Sequence, residues 1–368
     1  MTRPLARSEL IAWARLARTP RIGPMTFARM IARFKTAGAA LDALPRVSHG
    51  KLEAPGADAT ERELDGLEKI GARLLASCEP DYPALLAKVD PPPPVIAVRG
   101  KLALTKERTV ALVGGREASA AGLKLAETIA SELGALGFVV VSGLARGIDG
   151  AAHRASLETG TIAVLAGGLD QPYPPQNLKL HDRIAEEGLV VSEAPLGTVA
   201  RARDFPRRNH IISGLSLGVV VIEAAVRSGS LITARAAAEQ GREVMAAPGS
   251  PLDIRAKGGN ALIKSGAALI ESAEDIAQHL GAAPRAFRTP TVQTLFELEE
   301  DDREARPDEV ARLAKLLSPT PMHVNDLARL AHLSAGACAA ALFELELEGR
   351  AASLPGGYAA TPGAAFGS

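Results

Sequence analysis

Cysteine is nearly absent from this chain: among 368 residues only Cys78 and Cys338 are cysteines, and neither falls in a CxxC pair. That usage excludes a disulfide framework and a thiolate zinc site. Aromatic residues are scarce at 3%, so the core has to be built from the aliphatic residues that dominate the 47% hydrophobic fraction. Excess charge is missing too, with 42 Lys and Arg against 42 Asp and Glu. A nucleic-acid partner is not announced by bulk charge, and any basic footprint has to be local. No apolar run reaches the roughly 18–20 residues of a membrane span. Arg3, Arg7, Arg15 and Arg18 interrupt the stretch where a signal peptide needs its apolar region. The expectation is a soluble, cytoplasmic protein with no membrane partner. Two enzyme fingerprints are also missing. VGGREASAAG, after the first candidate strand, lacks the spacing of the dinucleotide motif, and there is no Walker A lysine. Both absences argue against NAD-dependent or ATP-hydrolysing activity, and no cofactor is expected.

What is present divides by composition. The length favours two or three domains. Residues 1 to about 75 read as helical, with Leu10, Ile11, Trp13, Ala14 and Leu16 at helical spacing. Arg21-Ile22-Gly23-Pro24 then separates that helix from TFARMIARF. This is either a helix-hairpin-helix whose turn amides hold a phosphate or a small helical bundle. Pro91 to Pro94 read as a rigid spacer. From about 80 to 282, apolar strands alternate with helices: VALV (110–113), VVVS (139–142), IAVL (162–165), LVVS (189–192), VVVIE (219–223), EVMAA (243–247) and ALI (268–270). Apolar strands alternating with helices predict an α/β fold, a doubly wound, extended Rossmann-like parallel sheet covered on both faces. An acidic stretch over 283–305 reads as a solvated linker. Residues 306–368 read as helix, turn, helix and a β-hairpin closed by Pro355-Gly356-Gly357, the pattern of a winged helix.

Three strand ends carry small residues at a helix start: Gly114-Gly115-Arg116, Ser142-Gly143 with Arg146-Gly147, and Ser228-Gly229-Ser230. Such turns present backbone N–H groups to an anion, and three along one sheet edge predict a continuous anion-binding surface. The densest basic segment is ARARDFPRRNHIISGLS, with Arg201, Arg203, Arg207 and Arg208 followed by Asn209 and His210. It is read as a loop pinned to the sheet by Phe205-Pro206 and Ile211-Ile212, whose held arginines suit bidentate phosphate contacts. His153, four residues after Asp149, is read as a locally hydrogen-bonded helix residue in preference to a relay. Asp170 and Tyr173 lie either in a ligand-lining loop or in a structural turn. Glu223 ends a central strand where a general base could sit. No second carboxylate, nucleophile or metal-ligand cluster can be placed beside it, so no catalytic residues are assigned.

Seven blocks in order, VALVGGREASAAG, VVSGLARGIDGAAH, IAVLAGGLDQPYPPQN, VSEAPLG, FPRRNHIISGLS, VVVIEAAVRSGSLITARAAAEQGREVMAAPG and GGNALIKSGA, closely resemble the DNA-processing protein A family, DprA or Smf. The resemblance spans about residues 80 to 280, and the flanking helical (helix-hairpin-helix or SAM-like) and winged-helix segments are similar to the family's common extensions. It implies no enzymatic activity, binding and protection of single-stranded DNA, loading of the RecA recombinase in natural transformation, and a homodimer through the Rossmann-like domain. It further implies DNA contacts at Arg116 and at Lys179, the nearest basic residue after the YPxxN block. Three positions depart from the family pattern: Gly115 replaces Ser, His210 replaces Arg, and Ala166 replaces Gly. At His210 a titrating group stands where the family has a permanent charge.

Two other classes share parts of this pattern. The SGLARGID and SGS–LITA turns also resemble phosphoribohydrolases, but that reading expects PGGxGTxxE where this chain has RSGSLITARAAAEQG. A winged-helix transcription regulator needs a basic second helix, whereas ACAAALFELELEG carries Glu344, Glu346 and Glu348 and no Lys or Arg. Those carboxylates would repel a duplex, so contact with protein is the expectation.

Overall fold

The computed structural model describes residues 3–281, 305–354 and 358–362. The expected acidic linker up to residue 304 and the wing turn Pro355-Gly356-Gly357 lie outside the described residues. The chain opens with helices α1 (Arg7–Arg18), α2 (Pro24–Phe34), α3 (Ala37–Val47) and α4 (Ala57–Lys69). Then follow β1 (Ala72–Ala76), α5 (Ala84–Ala87), β2 (Val95–Gly100), β3 (Arg108–Gly114), α6 (Ala120–Ala135), β4 (Phe138–Ser142), α7 (Ile148–Ser156), β5 (Thr161–Leu165), α8 (Leu178–Glu187) and β6 (Leu189–Ser192). The α/β part continues with α9 (Asp204–Gly214), β7 (Gly218–Ile222), α10 (Gly229–Glu239), β8 (Glu243–Ala246), α11 (Lys257–Lys264), β9 (Ala268–Leu269) and α12 (Ala273–Gly281). Last come α13 (Pro307–Leu316), β10 (Met322–His323), α14 (Val324–Ala331), α15 (Ala335–Leu347), β11 (Ala352–Leu354) and β12 (Tyr358–Ala360). Two compact units result: residues 61 onward through the α/β part, and residues 5–60 together with the C-terminal segment.

In the α/β unit the strands form one sheet in the order β1-β2-β6-β5-β4-β3-β7-β8-β9. From β6 to β9 every pairing is parallel, as the apolar runs predict. Alternate residues of each strand pack to opposite faces. Val139, Val141, Val219 and Val221 meet Ile211 and Ile212 of α9 and Ala234 and Ala237 of α10. Val110, Leu112, Val140 and Val220 meet Ile129 and Leu133 of α6 and Ile148 and Ala151 of α7.

Three sequence expectations change. β1 and β2 extend the sheet in antiparallel fashion beyond β6, so it begins upstream of residue 80. The proline run 91–94 leads into β2, and Pro93 O accepts the Tyr82 hydroxyl at 2.8 Å; it does not separate domains. The basic segment read as a loop is helix α9 over Asp204–Gly214. Pro206 is tolerated there because it falls in the first turn, where its missing N–H has no helical acceptor.

In the other unit, α13, α14 and α15 pack around Leu313, Leu327, Cys338, Leu342 and Leu345, and β10-β12-β11 form a three-stranded antiparallel sheet. This is the expected winged helix. Among the described residues no single helix is long and apolar enough to cross a membrane.

Candidate nucleic-acid interface

Strand order positions the site. The chain builds outward from β3 on one side through β4, β5 and β6, and on the other through β7, β8 and β9. The helices after β3 and β7 leave to opposite faces, so their loops part above the carboxyl ends of the strands. Open α/β sheets bind ligands at such a switch point. A crevice of about 1220 Å³ lies there, lined by Gly114, Gly115 and Arg116 after β3, Arg146 after β4, and Ser228, Gly229 and Ser230 after β7. The first and third predicted turns therefore flank one crevice, and of the predicted residues of the middle turn only Arg146 reaches it.

The middle turn is built differently from the expectation. Asp149, buried on the first turn of α7, accepts the N–H groups of Gly143 at 3.2 Å and Ala145 at 3.3 Å. His153, one turn later, accepts Leu144 N–H on Nε2 at 3.3 Å, while its Nδ1 meets Thr161 Oγ1 at 2.7 Å. Asn177 Nδ2 donates to the carbonyls of Leu144 and Ala145 at 2.9 and 3.1 Å. Three amides of the turn are thus consumed inside the protein and are not free for an anion. The expected amide cradle gives way to guanidinium groups. Asp149 and His153 both serve the turn and form no relay. Burial raises the Asp149 carboxyl above its usual range, against the pull of Arg208 and of the two amides. Burial, aided by the Arg208 charge, pushes His153 down to about 3, so it is a neutral imidazole.

Arg208 reaches under the crevice from α9. It is buried, donates Nη1 to the carbonyls of Gly143 and of Val164 (2.8 Å to the latter), and lies beside Asp149. Desolvation lowers its pKa to about 10, which leaves it charged at neutral pH. Asn209 ties α9 to α10 through Nδ2 to Gly229 O at 3.2 Å, and both residues line the crevice.

Six predicted site residues do not line the main crevice. Ser142 is buried and donates its hydroxyl to Leu112 O at 2.6 Å. Gly147 sits behind the turn, at φ +74, against the carbonyls of Gly115 and Arg116. Arg207 pairs with Glu193. Lys179 is exposed at the start of α8, and His210 faces Gln240, its pKa lowered by burial against the opposing charges of Glu239 and Glu193. Gly143 lines only a small adjoining pocket with Arg116, Arg146, Tyr173 and Phe205.

Other groups come into the site. Arg227 lies exposed just before Ser228, and Arg255, held by Asp253 at 2.8 Å, comes from the loop after β8. Both stand at carboxyl strand ends, a signal the sequence carried. Tyr173, 53% exposed, meets Phe205 edge to face at 6.0 Å, and the Phe205 ring is flanked by the guanidinium carbons of Arg116 at 5.2 Å and Arg208 at 5.6 Å. Asp170 is a turn residue, accepting Gly197 N–H at 2.8 Å. Glu223 is no free base. Its carboxylate takes the Ser119 N–H at 2.8 Å and the Ser119 hydroxyl, fixing the start of α6, while its own backbone is held at φ +49.

A doubly wound sheet with an arginine-lined crevice at its switch point, carried with a helical module and a winged helix, defines a Rossmann-like protein of three modules. The chain belongs to the DNA recombination-mediator protein A family, whose model matches residues 73–281. A DprA-like N-terminal HHH domain matches residues 7–65 and a DprA winged helix domain residues 297–357. Protein Smf of Escherichia coli is 37% identical over 302 residues, covering 81% of this chain and 80% of that protein. The X-ray structure of DNA processing protein A from Streptococcus pneumoniae superposes with a TM-score of 0.64 at 31% identity, over 75% of this chain and 98% of that one. DNA processing protein A from Helicobacter pylori, described for its single-stranded DNA binding mode, gives a TM-score of 0.53 at 28% identity, over 57% and 95%.

Proposed function

We propose that this protein binds single-stranded DNA in the switch-point crevice, protects it, and delivers it to a RecA-type recombinase in transformation and recombination, without catalysing a reaction of its own. The observation that carries the reading is the charge arrangement. Arg116, Arg146 and Arg227 are exposed on the crevice, and no ion pair within the protein engages them among the described residues. Three of the acids that line it are already engaged: Asp149 by turn amides, Glu223 by Ser119 and Asp253 by Arg255. The net demand of the crevice is for anions, and a strand of phosphates meets it. The open shape suits a flexible chain, and the exposed Tyr173 ring offers a face to a base at the mouth.

The same arrangement disfavours an enzyme, since Asp149, Glu223 and Asp253 are held in positioning turns and by the neighbouring arginine. A homodimer through the α/β unit completes the reading, supported by the exposed apolar side chains Val226, Leu252 and Ile254 on that unit. Titration of the full chain with single- and double-stranded oligonucleotides of one sequence tests the proposal. Preference for the single strand is expected, and equal or tighter duplex binding would overturn it.

A further inference from the structure

Helix α15 has two buried sides. Cys338, Ala341, Leu342 and Leu345, at i, i+3, i+4 and i+7, belong to the core of the winged helix itself. Phe343 and Leu347, on the opposite side, pack with Leu16, Ile22, Phe27 and Met30 of the N-terminal helices. In a winged helix that reads DNA, this outer face of the second helix of the helix-turn-helix enters the major groove. Here the N-terminal domain covers it.

Charge follows the same seam. Glu346, almost fully buried between the apolar pair, accepts Arg29 Nη1 at 3.1 Å and the Thr26 hydroxyl at 3.4 Å, and it also holds Ser353. Glu348 lies 3.9 Å from Lys51 Nζ. The Arg21 guanidinium abuts Gly349, just beyond the end of α15. Arg21 precedes the Gly23-Pro24 turn into α2, Arg29 lies on α2, and Lys51 provides the carbonyl that accepts Arg21 Nη2 at 2.9 Å. One cationic face of the N-terminal domain is therefore neutralised by two carboxylates about 300 residues away in sequence.

We propose that Arg21, Arg29 and Lys51 form a second single-strand-binding face, closed in this structure because the acidic end of α15 occupies it in place of phosphates. The proposal rests on single-stranded DNA being the ligand. The winged helix then acts as an internal competitor: a strand that takes the three cations releases Glu346 and Glu348, and Phe343 and Leu347 become free to meet another surface. Because the closed contact combines one buried, hydrogen-bonded carboxylate with an apolar pair, salt alone should loosen it poorly, while a multivalent phosphate chain competes for all three cations together.

The test uses the full chain with Arg116→Ala, which weakens the crevice so that a second face shows more clearly, and a fluorescent oligothymidylate. Glu346→Gln with Glu348→Gln should raise affinity in that background at least fivefold, and adding Arg29→Ala and Lys51→Ala should abolish the gain. Phe343→Ala, which keeps both carboxylates but removes an apolar anchor, should also raise it. Removing two acids elsewhere, Glu132→Gln with Glu158→Gln, controls for net charge and should change affinity less than twofold. The proposal is overturned if neither the Gln pair nor Phe343→Ala strengthens binding beyond that control, or if the gain survives loss of Arg29 and Lys51. Failure of the crevice reading shows separately, as an Arg116→Ala chain that binds the strand as tightly as the unmodified one.

Discussion

Arg208 on α9 donates to the carbonyl oxygen of Val164, at the end of β5, at a distance of 2.8 Å. The same nitrogen serves Gly143 O after β4, and Nε holds Asn209 Oδ1 at 3.2 Å. One guanidinium thus fastens two strand ends and a helix beneath the crevice and balances the buried Asp149. Removing it leaves two carbonyls without their donor and takes a neighbouring positive charge away from the buried Asp149. Arg208→Ala should cost about 3–5 kcal/mol of stability, the range for breaking a buried charged pair. Urea unfolding reads this directly, and a loss under about 1 kcal/mol would show the network to be slack.

Arg116 should behave in the opposite way. It is exposed on the crevice, and its contact within the protein is the Phe205 ring at 5.2 Å. Arg116→Ala should weaken single-strand binding by about 1–3 kcal/mol, the size of a lost charged hydrogen bond. The stability cost is that of an exposed cation–π contact, about 0.5–1 kcal/mol. An early-unfolding variant that kept full affinity would place the strand elsewhere.

The contrast between these two arginines marks how far the sequence could be read. The parallel sheet was legible because runs such as VVVS and VVVI are apolar throughout, as strands covered on both faces must be. That the turns after β3 and β7 would flank one crevice was legible for the same reason, since helices follow each strand. Arg208 was legible as a residue but not in its role, because its acceptors are backbone carbonyls 44 and 65 positions away. Helix α9 was hidden by Asp204, Pro206 and Asn209, which read as a loop although Ile211 and Ile212 were expected on the sheet, where they do pack. Strands β1 and β2 were missed because both are antiparallel and lie outside the strand–helix alternation that revealed the others. The fate of the Gly143–Ala145 amides turns on Asp149 and His153 pointing back along their own helix.

Those two buried groups set an acid response. The ordinary value of His153 is near 6.5 and the folded value about 3. Above 6.5 neither state takes the proton and this contribution to stability is fully present. As pH falls from 6.5 toward 3 the unfolded chain is protonated and the native one is not, so stability declines by up to about 1.4 kcal/mol per unit. Asp149 works the other way. Its raised folded pKa stabilises the native state below 3.8, and that contribution is lost as pH rises through the raised value. It offsets part of the histidine's effect only at the acid end. His153→Gln should therefore flatten the fall in urea midpoint between about pH 6 and 4. An unchanged slope would mean that this histidine is not the group responsible.

Binding through arginines also fixes a salt dependence. With the contribution of Arg208 spent inside the protein, Arg116, Arg146 and Arg227 remain to neutralise phosphates along the crevice. Three contacts on a single strand predict that log K falls with log salt at a slope of about −2, since each contributes about −0.7. Fluorescence anisotropy over a salt series measures it. A slope near zero would mean that bases and not phosphates dominate, with Tyr173 the first residue to test.

The last prediction concerns Gly147, which joins two of the three turns. Its φ of +74 and ψ of −129 lie where side chains are rarely accommodated, and a Cβ there would run into Gly115 O, with Arg116 O only 2.9 Å away. Ile148 N–H donates to the same Gly115 O at 3.2 Å, so the start of α7 is keyed to the turn that presents Arg116. Gly147→Ala has to push this backbone apart. It should destabilise the protein by about 2 kcal/mol or more, combining dihedral strain with the clash. The folded fraction should also bind the single strand more weakly, because the Arg116 turn moves. Gly229→Ala is the matched comparison: a Cβ there meets nothing within 4 Å and the residue begins α10. Its stability should stay within about 0.5 kcal/mol of the parent. Equal stability for the two alanine variants would refute the keyed-turn geometry, whereas a destabilised Gly147→Ala with unchanged affinity would show that the Arg116 turn holds its place without α7.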